Sequence, residues 1–331
     1  MIPIFVGGSP RSGTTLLGAM LGAHDRVVCL PESPFIGRLA RVQRCQRADP
    51  RAAEEVHRAM RADFKFAFWS LSPADLSACA KVTGTGYQEL IDAYAGCFAL
   101  RNGRPDATSW VDHSPTNLMY SARLYAEFPQ ARFIHLVRDG RAVCASWMPL
   151  NWGPNTIIPA AQTWAIHVGH GLAAEAALPP AAVRRVTYEQ LITEPEKVLE
   201  LLCEWLGVPY QATMVTGSGL EVPIYTRNQH ALIGRPVDSR RIDDWRTKLT
   251  AREIELFEYV TGDLLMNLGY ELAGPGSCAE PTNLEKLRME LIERTRQLMH
   301  LATRPIRLRR FLMSLKREQE RAQECVAQQM D

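Results

Sequence analysis

The 331-residue chain carries almost no charge imbalance: 38 Lys and Arg stand against 36 Asp and Glu, for a formal net charge of +2. So small an excess does not mark a nucleic-acid partner. No apolar run reaches the ~20 residues that a membrane-spanning helix requires. A basic-then-apolar leader is missing as well, because Ile2 to Val6 runs straight into a glycine loop. These absences lead to the expectation of a soluble, cytoplasmic chain. The eight cysteines form no C-x-x-C pair and no zinc-finger spacing, so no metal site is expected and the thiols are read as reduced. Internal repeats and low-complexity tracts are lacking too. What is present, 46% apolar and 22% charged residues, supports a sizeable core, and the length suits one large α/β domain with an appendage.

Short apolar runs alternate with helical stretches. Ile2 to Val6 reads as a buried strand, Thr14 to Leu21 as the helix it feeds, and Val27 to Leu30 as a second strand ending at Pro31 and Glu32. Trp110 and Val111 suggest a third strand, Arg132 to Val137 a fourth, and Val183 to Thr187 a fifth. Ser72 followed by Pro73 marks a helix start. Glu194 to Leu206 is amphipathic and stops at Gly207, a suitable cap. Thr250 and Glu253 form a capping box for a helix reaching about Leu268. The alternation predicts a mainly parallel sheet with right-handed crossovers, whose ligands bind beyond the carboxyl ends of the strands. Arg11, Glu32, Asp112, His113 and Arg138 each follow directly after such a run.

The stretch VGGSPRSGTTLL, residues 6–17, nearly spells the phosphate loop G-x-x-x-x-G-K-[ST]. Gly8 and Gly13 keep the spacing and Thr15 supplies the hydroxyl, but Thr14 replaces the lysine and Arg11 sits inside the loop. A glycine loop feeding a helix offers backbone N–H groups to an anion. Nucleotide triphosphatases neutralise their ligand with that lysine and magnesium. Their loss suggests a less charged group, handled without metal, for which an adenosine 5′-phosphosulfate would serve. The alternative is a plain strand-to-helix turn with Arg11 in solvent. A second anion site is suggested by HLVRDGRAVCASW, where Arg138 ends a strand and Ser146 follows about two helical turns on. Such a pair suits a ribose 3′-phosphate; taken singly, Arg138 and Asp139 also read as a strand-end ion pair.

With these residues in view, the chain resembles the sulfotransferases that use 3′-phosphoadenosine 5′-phosphosulfate (PAPS), especially the bacterial and tyrosylprotein-type branch. The matching pieces are PRSGTTLL (10–17), PES (31–33), DHSP (112–115), FIHLVRDGRAV (133–143), YEQLITEP (188–195), WLGVP (205–209) and GRPV (234–237). The resemblance implies a P-loop NTPase-like parallel sheet flanked by helices. It places Ser9, Pro10, Arg11, Ser12, Gly13, Thr14 and Thr15 at the 5′-phosphosulfate, and Arg138 and Ser146 at the 3′-phosphate. Tyr188 and Arg235 are further implied cofactor contacts, and the spent cofactor is adenosine 3′,5′-bisphosphate (PAP). Residues 1–274 are expected to form the PAPS-binding domain, with 35–105 as a helical acceptor-binding insertion.

The reaction implied is in-line transfer of a sulfuryl group to an acceptor hydroxyl. Glu32 is assigned as general base by the resemblance, and Arg11 as the donor that stabilises the leaving bridge oxygen. One departure stands out: related sequences usually have lysine where this chain has His113. The imidazole can donate to the leaving oxygen, act as the base with Glu32 orienting it, or mark a site that has lost turnover. In the last case the chain is a PAP-binding regulatory or scaffold protein. The acceptor is left open among small molecules, glycans, lipids and peptide tyrosine. Residues 275–331 form a helical extension outside the resemblance, basic from 283 on. Pro305 is expected to break or kink it into two helices, and an apolar stripe from Leu284 to Leu315 leaves three roles for it: peripheral membrane contact, a homodimer contact, or a hairpin packed on its own domain.

Overall fold

The computed structural model describes residues 1–38, 50–81, 86–150, 152–220, 239–274 and 279–328. Five strands form one wholly parallel sheet in the order β2-β3-β1-β4-β5. They are β1 (Ile2–Gly8), β2 (Val27–Cys29), β3 (Ser109–Asp112), β4 (Arg132–Val137) and β5 (Val183–Thr187). Strands β1 and β4 are buried along nearly their whole length, His135 included, as a sheet covered on both faces demands. Alternation along them sends Phe5 and Phe133 to one face, where they pack against Trp110 and Phe128. Ile4, Val6, Ile134 and Leu136 point to the other, against Leu17 and Met20 of α1 (Thr14–Gly22). The α/β class and the flanking helices are those expected from the sequence.

The first face is covered by the helical stretch that follows β2. It comprises α2 (Pro50–Ala62), a 3-10 segment Phe64–Trp69, α3 (Pro73–Ala80) and α4 (Tyr87–Arg101). Ser72 caps α3 in a full capping box with Asp75. Next come α5 (Ser121–Glu127), α6 (Gly140–Trp147), α7 (Ile157–Ala177), α8 (Tyr188–Thr193), α9 (Pro195–Leu206), α10 (Trp245–Lys248) and α11 (Ala251–Asn267). The Thr250–Glu253 box opens α11, and Gly207, at φ 74°, closes α9. Helices α6, α7, α10 and α11 share a third apolar cluster built on Trp147, Trp164, Trp245 and Phe257.

One expectation fails. The extension is a single helix, α12 (Asn283–Gln328), that runs through Pro305. Proline removes one N–H and crowds the carbonyl four residues back, and a helix of ~69 Å at 1.5 Å per residue keeps enough other bonds to absorb that loss. No hairpin forms among the described residues. Instead, the first turns of α12 lie on the domain: Glu293 accepts N–H bonds from Asn155 and Thr156 at 2.7 Å, Arg252 pairs with Glu285 at 2.8 Å, and Met289 joins the third cluster. Leu284, Leu287, Leu291, Leu298 and Leu301 are all at least 60% exposed.

Candidate active site

The turn after β1 is built by backbone constraints. A Cβ at Gly8 would stand 2.2 Å from the Leu136 carbonyl oxygen, so only glycine lets β1 lie against β4 there. Arg11 adopts φ 72°, a left-handed conformation that costs a non-glycine residue ~1–3 kcal/mol. Its carbonyl accepts Nη1–H of Arg138 at 3.0 Å, and its own Nε–H donates to Ser146 Oγ at 3.2 Å. Gly13, at φ 98°, is the N-cap of α1 and brings no side-chain acceptor to the first turn, which also holds no acidic residue. The opening N–H groups of α1 are thus left to an anion from outside.

Around this loop the positive charges gather. Arg138 leaves the end of β4, lies 4.0 Å from the Tyr188 ring centroid, and donates from Nη2 to the Arg241 carbonyl at 3.2 Å. Burial, with Arg138 and Arg241 nearby as like charges, holds the Arg11 guanidinium below its ordinary value. Arg11, Arg138 and Ser146, predicted as two separate anion contacts, are therefore one continuous group. Arg241 was missed, since it sits 103 residues from Arg138 with no strand or motif beside it. Arg235 and the GRPV motif lie outside the described residues. Ser9, Ser12 and Thr14 are buried, Pro10 and Thr15 half-buried. Ser12 Oγ and Arg138 Nε are buried and have no protein hydrogen-bond partner.

A second group lies at the ends of β2 and β3. The Asp112 carboxylate is fully buried and accepts three N–H bonds, from Ser33 at 3.0 Å, Ser114 at 2.8 Å and the Asn117 side chain at 2.8 Å. That clamp fixes the Glu32 loop beside His113. His113 is 3% exposed, and both its ring nitrogens lack a protein partner. It rests on Gly18 of α1, where an added Cβ would come within 2.8 Å of the His113 Cβ. Burial lowers the pKa of the imidazole against the opposing pull of Glu32 and Asp112, so the ring is neutral at pH 7. Glu32 meets the Lys65 ammonium at 2.9 Å. Lys65 also escaped the sequence reading, being 33 residues away in an aromatic run.

Such a lysine-free glycine loop, with arginines gathered at the carboxyl ends of a parallel sheet, brings N–H donors and positive charge together where an anion can be held. Residues 3–212 match the Sulfotransferase family, and the chain belongs to that family. It is 27% identical over 323 residues to protein-tyrosine sulfotransferase 1 of Danio rerio, covering 91% of this chain and 80% of the relative. It is also 27% identical over 297 residues to the nodulation protein NoeE of Sinorhizobium fredii (strain NBRC 101917 / NGR234), covering 81% of this chain and just under two thirds, 65%, of NoeE. Among solved structures, the sulfotransferase domain of the Synechococcus PCC 7002 olefin synthase superposes with a TM-score of 0.56 at 24% identity, covering 82% of this chain and 95% of that one. The sulfotransferase domain from the curacin biosynthetic pathway gives 0.55 at 21% identity, over 82% and 99%. These likenesses carry the fold, and family membership makes the chain a transferase of sulfuryl groups.

Proposed function

We propose that the protein transfers a sulfuryl group from PAPS to an acceptor hydroxyl, with Glu32 as general base. The observation that carries this reading is the single cluster of Arg11, Arg138, Arg241 and Ser146 against a glycine loop without lysine. The residues suit the donor: the partnerless Ser12 Oγ and Arg138 Nε and the uncapped start of α1 are donors for two anionic ends of one nucleotide. Ser12, Gly13, Thr14 and Thr15 would hold the 5′ end, and Arg138 and Ser146 the 3′-phosphate. Arg11, whose guanidinium lies at Ser146, bridges the two. Tyr188, under the Arg138 guanidinium, keeps that fork in place. When bound, PAPS supplies the sulfuryl group and departs as PAP.

The chain's own contribution is charge placement and proton removal. An alcohol or phenol attacks poorly until its proton is taken, and a positioned base contributes ~10²–10⁴-fold. The Glu32 carboxylate accepts the proton as the acceptor O–S bond forms and the bridging O–S bond breaks, its electron pair remaining on the departing oxygen. Arg11 is the donor for that oxygen, an interaction worth ~3 kcal/mol when one such donor is removed. His113, neutral and with two unused ring nitrogens, presents an N–H to the same region and does not compete with Glu32 for the proton.

The relatives named for protein tyrosine make a tyrosine peptide the first acceptor to try. Transfer of ³⁵S from PAPS to such a peptide, and to phenols, glycans and lipids in parallel, tests the reading. Glu32→Gln should lose at least ~100-fold in turnover while binding PAP as tightly as the wild type. No transfer to any acceptor with tight PAP binding would favour a regulatory protein.

A further inference from the structure

The segment Phe64–Trp69 reaches the site twice. Lys65 Nζ lies 2.9 Å from Glu32 Oε1, and Trp69 Nε1–H donates to Ser33 Oγ at 3.0 Å. Two residues four apart in this segment thus grip two consecutive residues of the loop after β2. The Asp63 side chain caps the segment by accepting the Lys65 backbone N–H, and Arg38 holds Asp63 in turn at 2.7 Å. Only 19% of the Lys65 side chain is exposed, so the ammonium is held over the carboxylate by its surroundings.

We propose that Lys65 is a positioning residue of the transfer reaction: it fixes the Glu32 carboxylate in the site and holds it ionised. The helical insertion after β2 would then complete the catalytic apparatus as well as cover the sheet. This rests on Glu32 as the base. Among the described residues, the groups near Glu32 include Lys65 from the 3-10 segment and, from the end of β3, His113 and Asp112. Asp112 is occupied by its three N–H donors, and His113 is kept uncharged by burial, with Lys65 adding like-charge opposition to its protonation. Of these three, Lys65 carries the positive charge, at 2.9 Å from the carboxylate. An opposite charge at this range favours the ionised form of a carboxyl, and Lys65 stands at that range from Glu32. Removing the ammonium raises the protonation midpoint of both Glu32 and His113.

Carbon-13 NMR of carboxyl-labelled glutamate reads this without any substrate, the Glu32 resonance being assigned by its loss in E32Q. In K65M and K65Q the Glu32 midpoint should rise by ~1 unit, while K65R keeps it near the wild-type value. With PAPS and a tyrosine peptide, the acidic limb of kcat/KM should move up by the same amount, and K65R should keep the wild-type limb. An unmoved Glu32 midpoint in K65M overturns the proposal, as does a uniform loss of rate with an unmoved limb. If E32Q keeps wild-type turnover, the base reading fails by itself, and the NMR midpoint still decides whether Lys65 governs the charge of Glu32.

Discussion

Gly13→Ala couples the phosphate loop to the far side of the site in one substitution. Gly13 sits at φ 98°, where a side chain costs ~1–2 kcal/mol. The new Cβ would also stand 2.7 Å from Tyr188 Cδ2 and 3.0 Å from Cε2. Ordinary contact begins nearer 3.4 Å, so the ring must move, and overpacking of this kind costs ~1–3 kcal/mol. Together the loss is ~2–5 kcal/mol, which at ~2 °C per kcal/mol for a large domain lowers Tm by ~4–10 °C. Tyr188 carries the Arg138 guanidinium on its face at 4.0 Å, so moving the ring moves the fork. PAP affinity, measured by calorimetry well below Tm, should fall at least ~10-fold, or ~1.4 kcal/mol. Gly207→Ala is the control: its φ is 74° and nothing lies within 4 Å of its added Cβ. It should lose the backbone share of stability and keep full PAP affinity. Wild-type PAP binding by Gly13→Ala, or an equal loss in Gly207→Ala, would refute the coupling.

Arg141 is buried with Asp139 at 2.8 Å and Glu258 at 2.7 Å, so Arg141→Met strands two buried carboxylates and should cost ~3–5 kcal/mol in urea unfolding; a loss under ~1 kcal/mol would contradict it. Because Glu258→Gln removes one of those charges, the double variant should be more stable than the sum of the singles predicts. Glu175, bonded to His135 and Arg185, has its carboxyl held down at about 2 against an ordinary 4.5, partner bonds outweighing burial. A depressed carboxyl contributes stability above its unfolded value and loses it as pH falls toward 2. Glu175→Gln should therefore be less stable than wild type at pH 7, by ~1 kcal/mol after solvent screening, and the gap should close between pH 4.5 and 2; a gap that stays constant would show that the contact is not ionic. Glu293→Ala should release the start of α12 from Asn155 and Thr156, seen as faster amide exchange at 283–296 with the sheet unaffected.

The strands were readable because short β-branched and apolar stretches such as those of Arg132–Val137 and Val183–Thr187 recur between helical segments, even where His135, Arg184 and Arg185 interrupt them. Capping chemistry is local, so Ser72, Thr250 and Gly207 marked their helices equally well. The phosphate loop showed its glycines and its missing lysine, and Arg138 showed its place at a strand end. Contacts between distant segments were hidden. Nothing near Lys65 or Arg241 in the sequence says that folding brings one to Glu32 and the other to Arg138, since Lys65 stands in an aromatic run that reads as core and Arg241 among charged residues that read as surface. The bond from Arg11 to Ser146 depends on a left-handed arginine, which no propensity favours. Pro305 misled for the opposite reason: a local rule about helix breaking was overridden by the helix-forming residues on both sides.

Competitive calorimetry with three nucleotides addresses the anion cluster most directly. PAP, 5′-AMP and magnesium ATP differ in whether a 3′-phosphate is present and in the charge at the 5′ end. PAP should bind at least ~100-fold (~2.7 kcal/mol) more tightly than either of the others, and Arg138→Ala or Ser146→Ala should erase most of its advantage over AMP. Magnesium ATP binding as tightly as PAP, or an advantage that survives both substitutions, would contradict a donor site for PAPS.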